Sequence, residues 1–191
     1  MIKSDLEAIG GFDGVEDVLA EDHFIGEKIR EQNQRVVISS YLINNVNEYW
    51  ELRKFINRHV RWGKMRWKIG GIRYFSELAI NPVFISSLSL FLYGLTRETL
   101  SLFIFACGVK MIGDFYLGRK VGTLLHLLCY LLSPIKDLLI GLIWFVPFID
   151  DTVIWRGNRY RIGKGTRLSL CQEGSEAWRY RLLDAIKARW A

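Results

Sequence analysis

Up to about residue 77 the apolar positions of this chain come in short amphipathic stretches; beyond that they merge into long continuous runs. Ser4 followed by Glu7 has the spacing of a capping box, and Gly10-Gly11 supplies a stop, so a short helix is expected there. A second helix is expected from about Val15 to Asn33. The run Arg35–Ile43 is rich in β-branched and aromatic residues and predicts a strand. A third helix is expected from near Asn47 to about Lys68, with Tyr49, Leu52, Phe55, Ile56 and Val60 on its apolar face. Helix, helix, strand, helix is a fragment of an α/β domain, because one strand cannot make a sheet by itself.

Residues 78–96 and 98–117 are mostly apolar over 19 and 20 residues, close to the roughly 20 helical residues that cross a hydrocarbon core. Thr96-Arg97-Glu98 between them is a minimal polar turn, which predicts a helical hairpin. The third stretch, 121–149, is interrupted at Ser133–Asp137. Halves of about 12 residues are short for a span, so a re-entrant or interfacial hairpin is expected, with a single kinked span as the alternative. Membrane helices over 78–149 would leave 1–77 as an aqueous part with an interfacial helix, and 150–191 as a basic tail.

Charge separates the chain in the same way. The net charge of +6 is the sum of two opposite blocks. Residues 1–52 carry 4 basic and 11 acidic side chains, whereas 53–191 carry 22 and 9. Eight of the cations (Arg53, Lys54, Arg58, Arg61, Lys64, Arg66, Lys68, Arg73) fall between Arg53 and Arg73 with no acid among them. Arg119-Lys120 and the group Arg156, Arg159, Arg161, Lys164, Arg167 follow the later apolar stretches. All three clusters on one side fits the positive-inside pattern and predicts an integral membrane protein with 1–77 and the tail in the cytoplasm. The contrary reading, a soluble protein, would have to bury all of 78–149 in its core. Half of the residues are hydrophobic and only 3 are Pro, which excludes a disordered or collagen-like chain. Cys107, Cys129 and Cys171 lie far apart with no CxxC pair, so reduced thiols among apolar neighbours are expected. The first twenty residues hold no secretory h-region.

Three segments carry candidate chemistry. With Val18 as angular zero on a continuous helix, Asp22 falls inside the stripe of Ile25 and Ile29, and Glu21 sits toward its edge. A carboxylate on a buried face needs a reason; a cleft where it acts as a base would be one, an ordinary helix charge the other. In Arg58-His59-Val60-Arg61-Trp62 the two arginines point away from the apolar face and Trp62 neighbours Arg58. Such a surface can grip a diphosphate and stack on a ring, or bind anionic lipid head groups. His59 is on the apolar face and is expected to be packed there. The segment Trp155–Arg161 mixes aromatics and cations; beside a membrane segment, the membrane surface is a better partner for it than nucleic acid. Gly163-Lys164-Gly165-Thr166 lacks the spacing of a phosphate loop, and no HExxH, GxSxG, GxGxxG or Cys/His metal pattern occurs.

Leu6–Phe12, then Leu19-Ala20-Glu21-Asp22-His23-Phe24-Ile25-Gly26, then Arg58-His59-Val60-Arg61-Trp62, all before apolar helices, resembles the acceptor half of a membrane-bound inverting glycosyltransferase. The order is similar to that of the ceramide glucosyltransferase family and of related bacterial enzymes associated with hopanoid biosynthesis. The ending Trp155–Arg161 resembles that group too. The resemblance implies an α+β fragment of a GT-A glycosyltransferase domain followed by membrane or re-entrant helices, mostly α overall. It implies Asp22 as the general base on an acceptor hydroxyl. Glu21, Arg58, Arg61 and Trp62 would be substrate-binding, the last three at the donor diphosphate and the acceptor. The implied substrates are a nucleotide sugar, commonly UDP-linked, and a ceramide- or hopanoid-like membrane lipid; the implied cofactor is Mg or Mn. The family's donor- and metal-holding aspartates, including DxD, do not occur in these 191 residues. The sequence therefore looks like a carboxy-terminal portion, inactive alone, from a truncated gene, a misplaced start codon or a split enzyme whose donor half is a separate chain. Alternatives are a small non-catalytic membrane protein that binds anionic lipid or a partner chain, and a processive polysaccharide synthase.

Overall fold

The computed structural model describes residues 3–12, 14–41, 51–122, 125–155 and 158–171. The described chain is mostly helical with one small sheet. Its contacts form two units, one of 1–35 with 152–191 and one of 36–151.

The first unit contains helix α1 (Lys3–Ala8), helix α2 (Glu21–Glu31) and three strands, β1 (Thr152–Trp155), β2 (Asn158–Ile162) and β3 (Leu168–Leu170). The strands form an antiparallel sheet in the order β1-β2-β3, with Val153 opposite Tyr160 and Ile162 opposite Leu168. Alternation turns Val153, Ile162 and Leu168 to one face, where Leu19, Trp155 and Tyr160 pack on them. The rings of Trp155 and Tyr160 lie 6.1 Å apart, edge to face. These two aromatics, expected to meet a membrane surface, thus contribute to the sheet's own core. Ser4 and Glu7 do lie in α1, and Gly10 and Gly11, both at positive φ, follow it. The expected start of the second helix near Val15 is corrected to Glu21, because Asp17–Ala20 is held in a non-helical course against the β3 edge.

The expected strand at 35–43 does not form over its described residues, 35–41. Val37 and Ile38 are 81% and 95% exposed, and β propensity without a neighbouring strand to pair with does not make a strand. Residues 42–50, with the start of the expected third helix, lie outside the described residues, as does 172–191.

The second unit starts with helix α3 (Leu52–Gly70), continues through a 3₁₀ turn (Gly71–Tyr74) into helix α4 (Phe75–Ala79), and bends by 71° into helix α5 (Pro82–Tyr93). Asn81 accepts the Phe84 N–H at 3.0 Å and Pro82 occupies the first turn, so α5 has a strong start signal inside the stretch expected to be one span. At 12 residues α5 is short; its length is about 18 Å. Helix α6 (Arg97–Lys120) follows, capped by Thr96 and Thr99, then α7 (Leu127–Tyr130) and α8 (Ser133–Ile143). Among the described residues two stretches are long and apolar enough to cross a membrane, Arg97–Val121 and Leu127–Phe148, and the bent pair Leu52–Ala79 with Pro82–Tyr93 is a third if it is one broken span. The second falls where a re-entrant hairpin was expected. Pro134 sits in the first turn of α8, where a missing N–H is harmless, and so begins that helix rather than breaking it.

Charges inside these apolar stretches compensate one another. Lys110 Nζ donates to Asp114 Oδ1 at 2.9 Å and lies 3.4 Å from Asp137, and Ser133 Oγ donates to Asp114 at 2.7 Å. Lys136 is 3.7 Å from Asp114. Two cations and two anions thus tie α6 to α8 with no net charge. Gly141 allows α8 to approach α5, since a Cβ there would overlap the Phe84 ring. All three cysteines are free; Cys129 is exposed, not packed as expected.

Candidate functional site

Glu21 and Asp22 open α2, and their position is set by the strand segment against which the preceding residues lie. Leu168 N–H donates to Asp17 O at 2.6 Å, Leu19 N–H to Thr166 O at 3.0 Å, and Ala20 N–H to Thr166 Oγ1 at 3.3 Å. Val18 and Ala20 are buried, and Thr166 is 1% exposed. Thr166 also holds a φ of 59°, a conformation that a β-branched residue adopts only when its surroundings enforce it. The Gly163–Thr166 turn, which superficially resembles a phosphate loop, is therefore the clamp that fixes where α2 begins. Asp22 lies exposed in the first turn, and its Oδ1 accepts the His23 N–H at 2.8 Å. The expectation that Asp22 faces inward is corrected: it keeps its place beside Ile25 and Ile29 on α2, but no residue of that helix is buried and Asp22 lies in its exposed first turn. An exposed carboxylate at the positive end of a helix dipole is a stable placement.

On α3, the Arg58 guanidinium stacks over the Trp62 ring at 4.2 Å, as the i, i+4 spacing implies. Arg61 is half-buried on the same helix. The His59 ring lies 4.0 Å from that of Phe55 and 5.7 Å from that of Trp62, in the packed environment expected of it. Its Nδ1 is 2.9 Å from Phe55 O. A carbonyl only accepts, so this bond puts the proton on Nδ1 and leaves Nε2 of the neutral ring as an acceptor. Glu21 and Asp22 are neighbours in the first unit; Arg58, Arg61 and Trp62 share one helix of the second.

The buried side of α3 carries a feature the apolar pattern did not reveal. Lys64 is 3% exposed, and its Nζ donates to Asp150 Oδ2 at 2.7 Å. Arg66 pairs with Glu77 at 3.2 Å, and Lys68 lies 3.9 Å from Asp151. The sign change between the cationic run and Asp150-Asp151 was the available signal, but the separation of 86 residues hid it. Leu52, expected on the apolar face, is exposed.

Tyr74 and Trp144 stack 5.1 Å apart and exchange bonds: Tyr74 OH donates to Trp144 O and Trp144 Nε1 to Tyr74 O, each at 3.2 Å. Burial pushes the Tyr74 phenol up to about 12, with a further push from Glu77 and an opposing pull from Arg66. Desolvation also raises the Glu77 carboxyl above its ordinary 4.5, against the pull of Arg66. Beside this pair a cavity of ≈ 330 Å³ opens between α3, α4, the start of α5 and the end of α8. Among the described residues no group of three His, Cys, Asp or Glu side chains could hold a metal ion. The divalent cation that the resemblance implies therefore has no fitting ligand set among the described residues.

A cationic helix with a stacked guanidinium–indole pair is followed by apolar helices, an order that fits membrane association. Residues 1–168 match glycosyl transferase family 21, and the chain belongs to that family. No curated protein and no solved structure matches it.

Proposed function

We propose that the chain is the acceptor-side part of an enzyme that transfers a sugar from a UDP-linked donor to the hydroxyl of a membrane lipid, ceramide- or hopanoid-like, with inversion at the anomeric carbon. The observation that carries this reading is the Arg58–Trp62 stack on a cationic helix leading into the apolar stretches, in a chain of glycosyl transferase family 21. Asp22 takes the proton from the acceptor hydroxyl as the oxygen attacks. Its exposure leaves it open to a substrate. Glu21 orients the acceptor, while Arg58 and Arg61 compensate the charge that grows on the departing diphosphate and Trp62 offers its ring to a sugar. The donor sugar and the divalent cation are held by a GT-A donor-binding part outside these 191 residues, in the same polypeptide or a partner chain. The exposed, unpaired β-branched segment Val36–Ile38 supports this, because it offers an edge to a further strand. With the bent pair Leu52–Ala79 and Pro82–Tyr93 lying at the interface, crossings at Arg97–Val121 and Leu127–Phe148 return the chain to its starting side, and the cationic clusters favour the cytoplasm for both flanks.

The alternative, a non-catalytic lipid-binding protein, is weakened by the acidic partners of Lys64, Arg66 and Lys68, three of the cations it would use. The test is reconstitution. The chain alone, in nanodiscs with UDP-sugar and lipid, is expected to transfer nothing, and addition of a donor-binding part to give glycolipid. Turnover by the purified chain alone would refute the division of labour, and no transfer with any donor-binding part would refute the enzyme reading.

A further inference from the structure

We infer that the ≈ 330 Å³ cavity at the α4–α5 bend receives the polar head of an uncharged, hydroxyl-bearing membrane lipid, with His59 as a hydrogen-bond acceptor for that hydroxyl. This rests on the proposed lipid-directed transfer and gives it a binding site. The lining is divided by polarity. His59, Arg66 and Glu77 contribute polar groups, Asn81 lines the cavity with its amide engaged by Phe84 N–H and Asp137 O, and Leu78, Ile80, Ile140 and Trp144 contribute an apolar wall.

Charge selects the class of head group. Arg66 and Glu77 compensate each other at 3.2 Å, so the cavity presents no surplus cation to a phosphate, and a neutral head that both donates and accepts hydrogen bonds suits it better than an anionic one. The bond from Nδ1 to Phe55 O leaves His59 Nε2 as an acceptor, the group a lipid hydroxyl needs. Size selects the part of the lipid. At ≈ 330 Å³ the cavity is at the small end of ligand pockets, enough for a head group and the first methylenes. The tails would leave past Ile80, a lining residue that is itself 79% exposed and apolar. Location links the cavity to chemistry: His59 belongs to the same pentapeptide as Arg58, Arg61 and Trp62, and its ring touches that of Trp62.

The test uses the 191-residue chain in phosphatidylcholine nanodiscs with trace diazirine-bearing ceramide, diazirine-bearing diacylglycerol or diazirine-bearing phosphatidylglycerol. Illumination is expected to attach one of the neutral probes to the α4–α5 bend or the end of α8, and phosphatidylglycerol much less. Ile80→Trp blocks the mouth at an exposed position, and His59→Phe keeps the ring packing while removing the acceptor; each is expected to lower the labelling about tenfold with unchanged helicity. Equal labelling by phosphatidylglycerol, labelling spread along α5 and α6, or labelling unaffected by both substitutions would overturn the assignment. Labelling needs no sugar donor, so a specifically labelled cavity in an enzyme that transfers no sugar would remove the transferase reading alone. Lipid glycosylation with an unchanged KM for the lipid in Ile80→Trp would remove the cavity alone.

Discussion

The Lys64–Asp150 pair gives a prediction with an unusual asymmetry. The Lys64 side chain is 4% exposed and that of Asp150 29%, so removing either partner leaves the other charge in a different environment. Asp150→Ala takes the carboxylate at 2.7 Å away from a buried ammonium in the packed interface of α3. Breaking a buried pair in this way costs about 3–5 kcal/mol, and partial water access on the Asp150 side favours the lower end, about 3 kcal/mol. Lys64→Met keeps the aliphatic stem's packing and leaves a carboxylate that water already reaches, for about 1 kcal/mol. The double variant carries neither charge and is expected to resemble Lys64→Met, giving a coupling energy of about 3 kcal/mol. Denaturant titration in detergent micelles, followed by tryptophan fluorescence, reads all four proteins; the buried Trp144 ring belongs to the same unit. Equal costs for the two single variants, or a double variant that costs their sum, would refute the reasoning.

Thr166→Val keeps the β-branched shape but leaves the Ala20 N–H without its side-chain acceptor; a loss of about 1–3 kcal/mol in denaturant unfolding is expected, largely restored in Thr166→Ser. Gly141→Ala drives a methyl into the Phe84 ring and is expected to cost about 1–3 kcal/mol in the same assay, partly recovered by Phe84→Leu. Because the folded-state pKa of Glu77 is raised, its contribution to stability is fully present below the unfolded value and is lost as pH rises through the folded one. Glu77→Gln is therefore expected to flatten the decline in stability from pH 4.5 upward, and an unchanged pH profile would show that the carboxyl is not desolvated.

Local signals in the sequence were reliable where neighbours in the chain decide the outcome. The Arg58–Trp62 stack follows from helical spacing alone, and the Thr96 turn and α6 follow from a cap and a long apolar run. Asn81-Pro82 was an equally local signal, a cap followed by a first-turn proline, but the apolar run around it concealed the bend. Asp22 was misplaced for a different reason. The spacing does put Asp22 beside Ile25 and Ile29, but that stripe is not buried in α2, and hydrogen bonds donated to Thr166, more than a hundred residues away, keep Val18–Ala20 out of the helix. The same distance hid the partnership of Lys64 with Asp150. The strand expected at 35–43 expresses a propensity that the described residues leave without a partner.

The most direct test of the central claim is the turnover of Asp22→Asn in the enzyme reconstituted with a donor-binding part. General-base catalysis contributes about 10²–10⁴-fold, so transfer to the lipid is expected to fall by that factor while UDP-sugar binding, measured by calorimetry, stays unchanged. Near-normal turnover by Asp22→Asn would contradict the assignment of Asp22 as the base and, with it, the proposed mechanism.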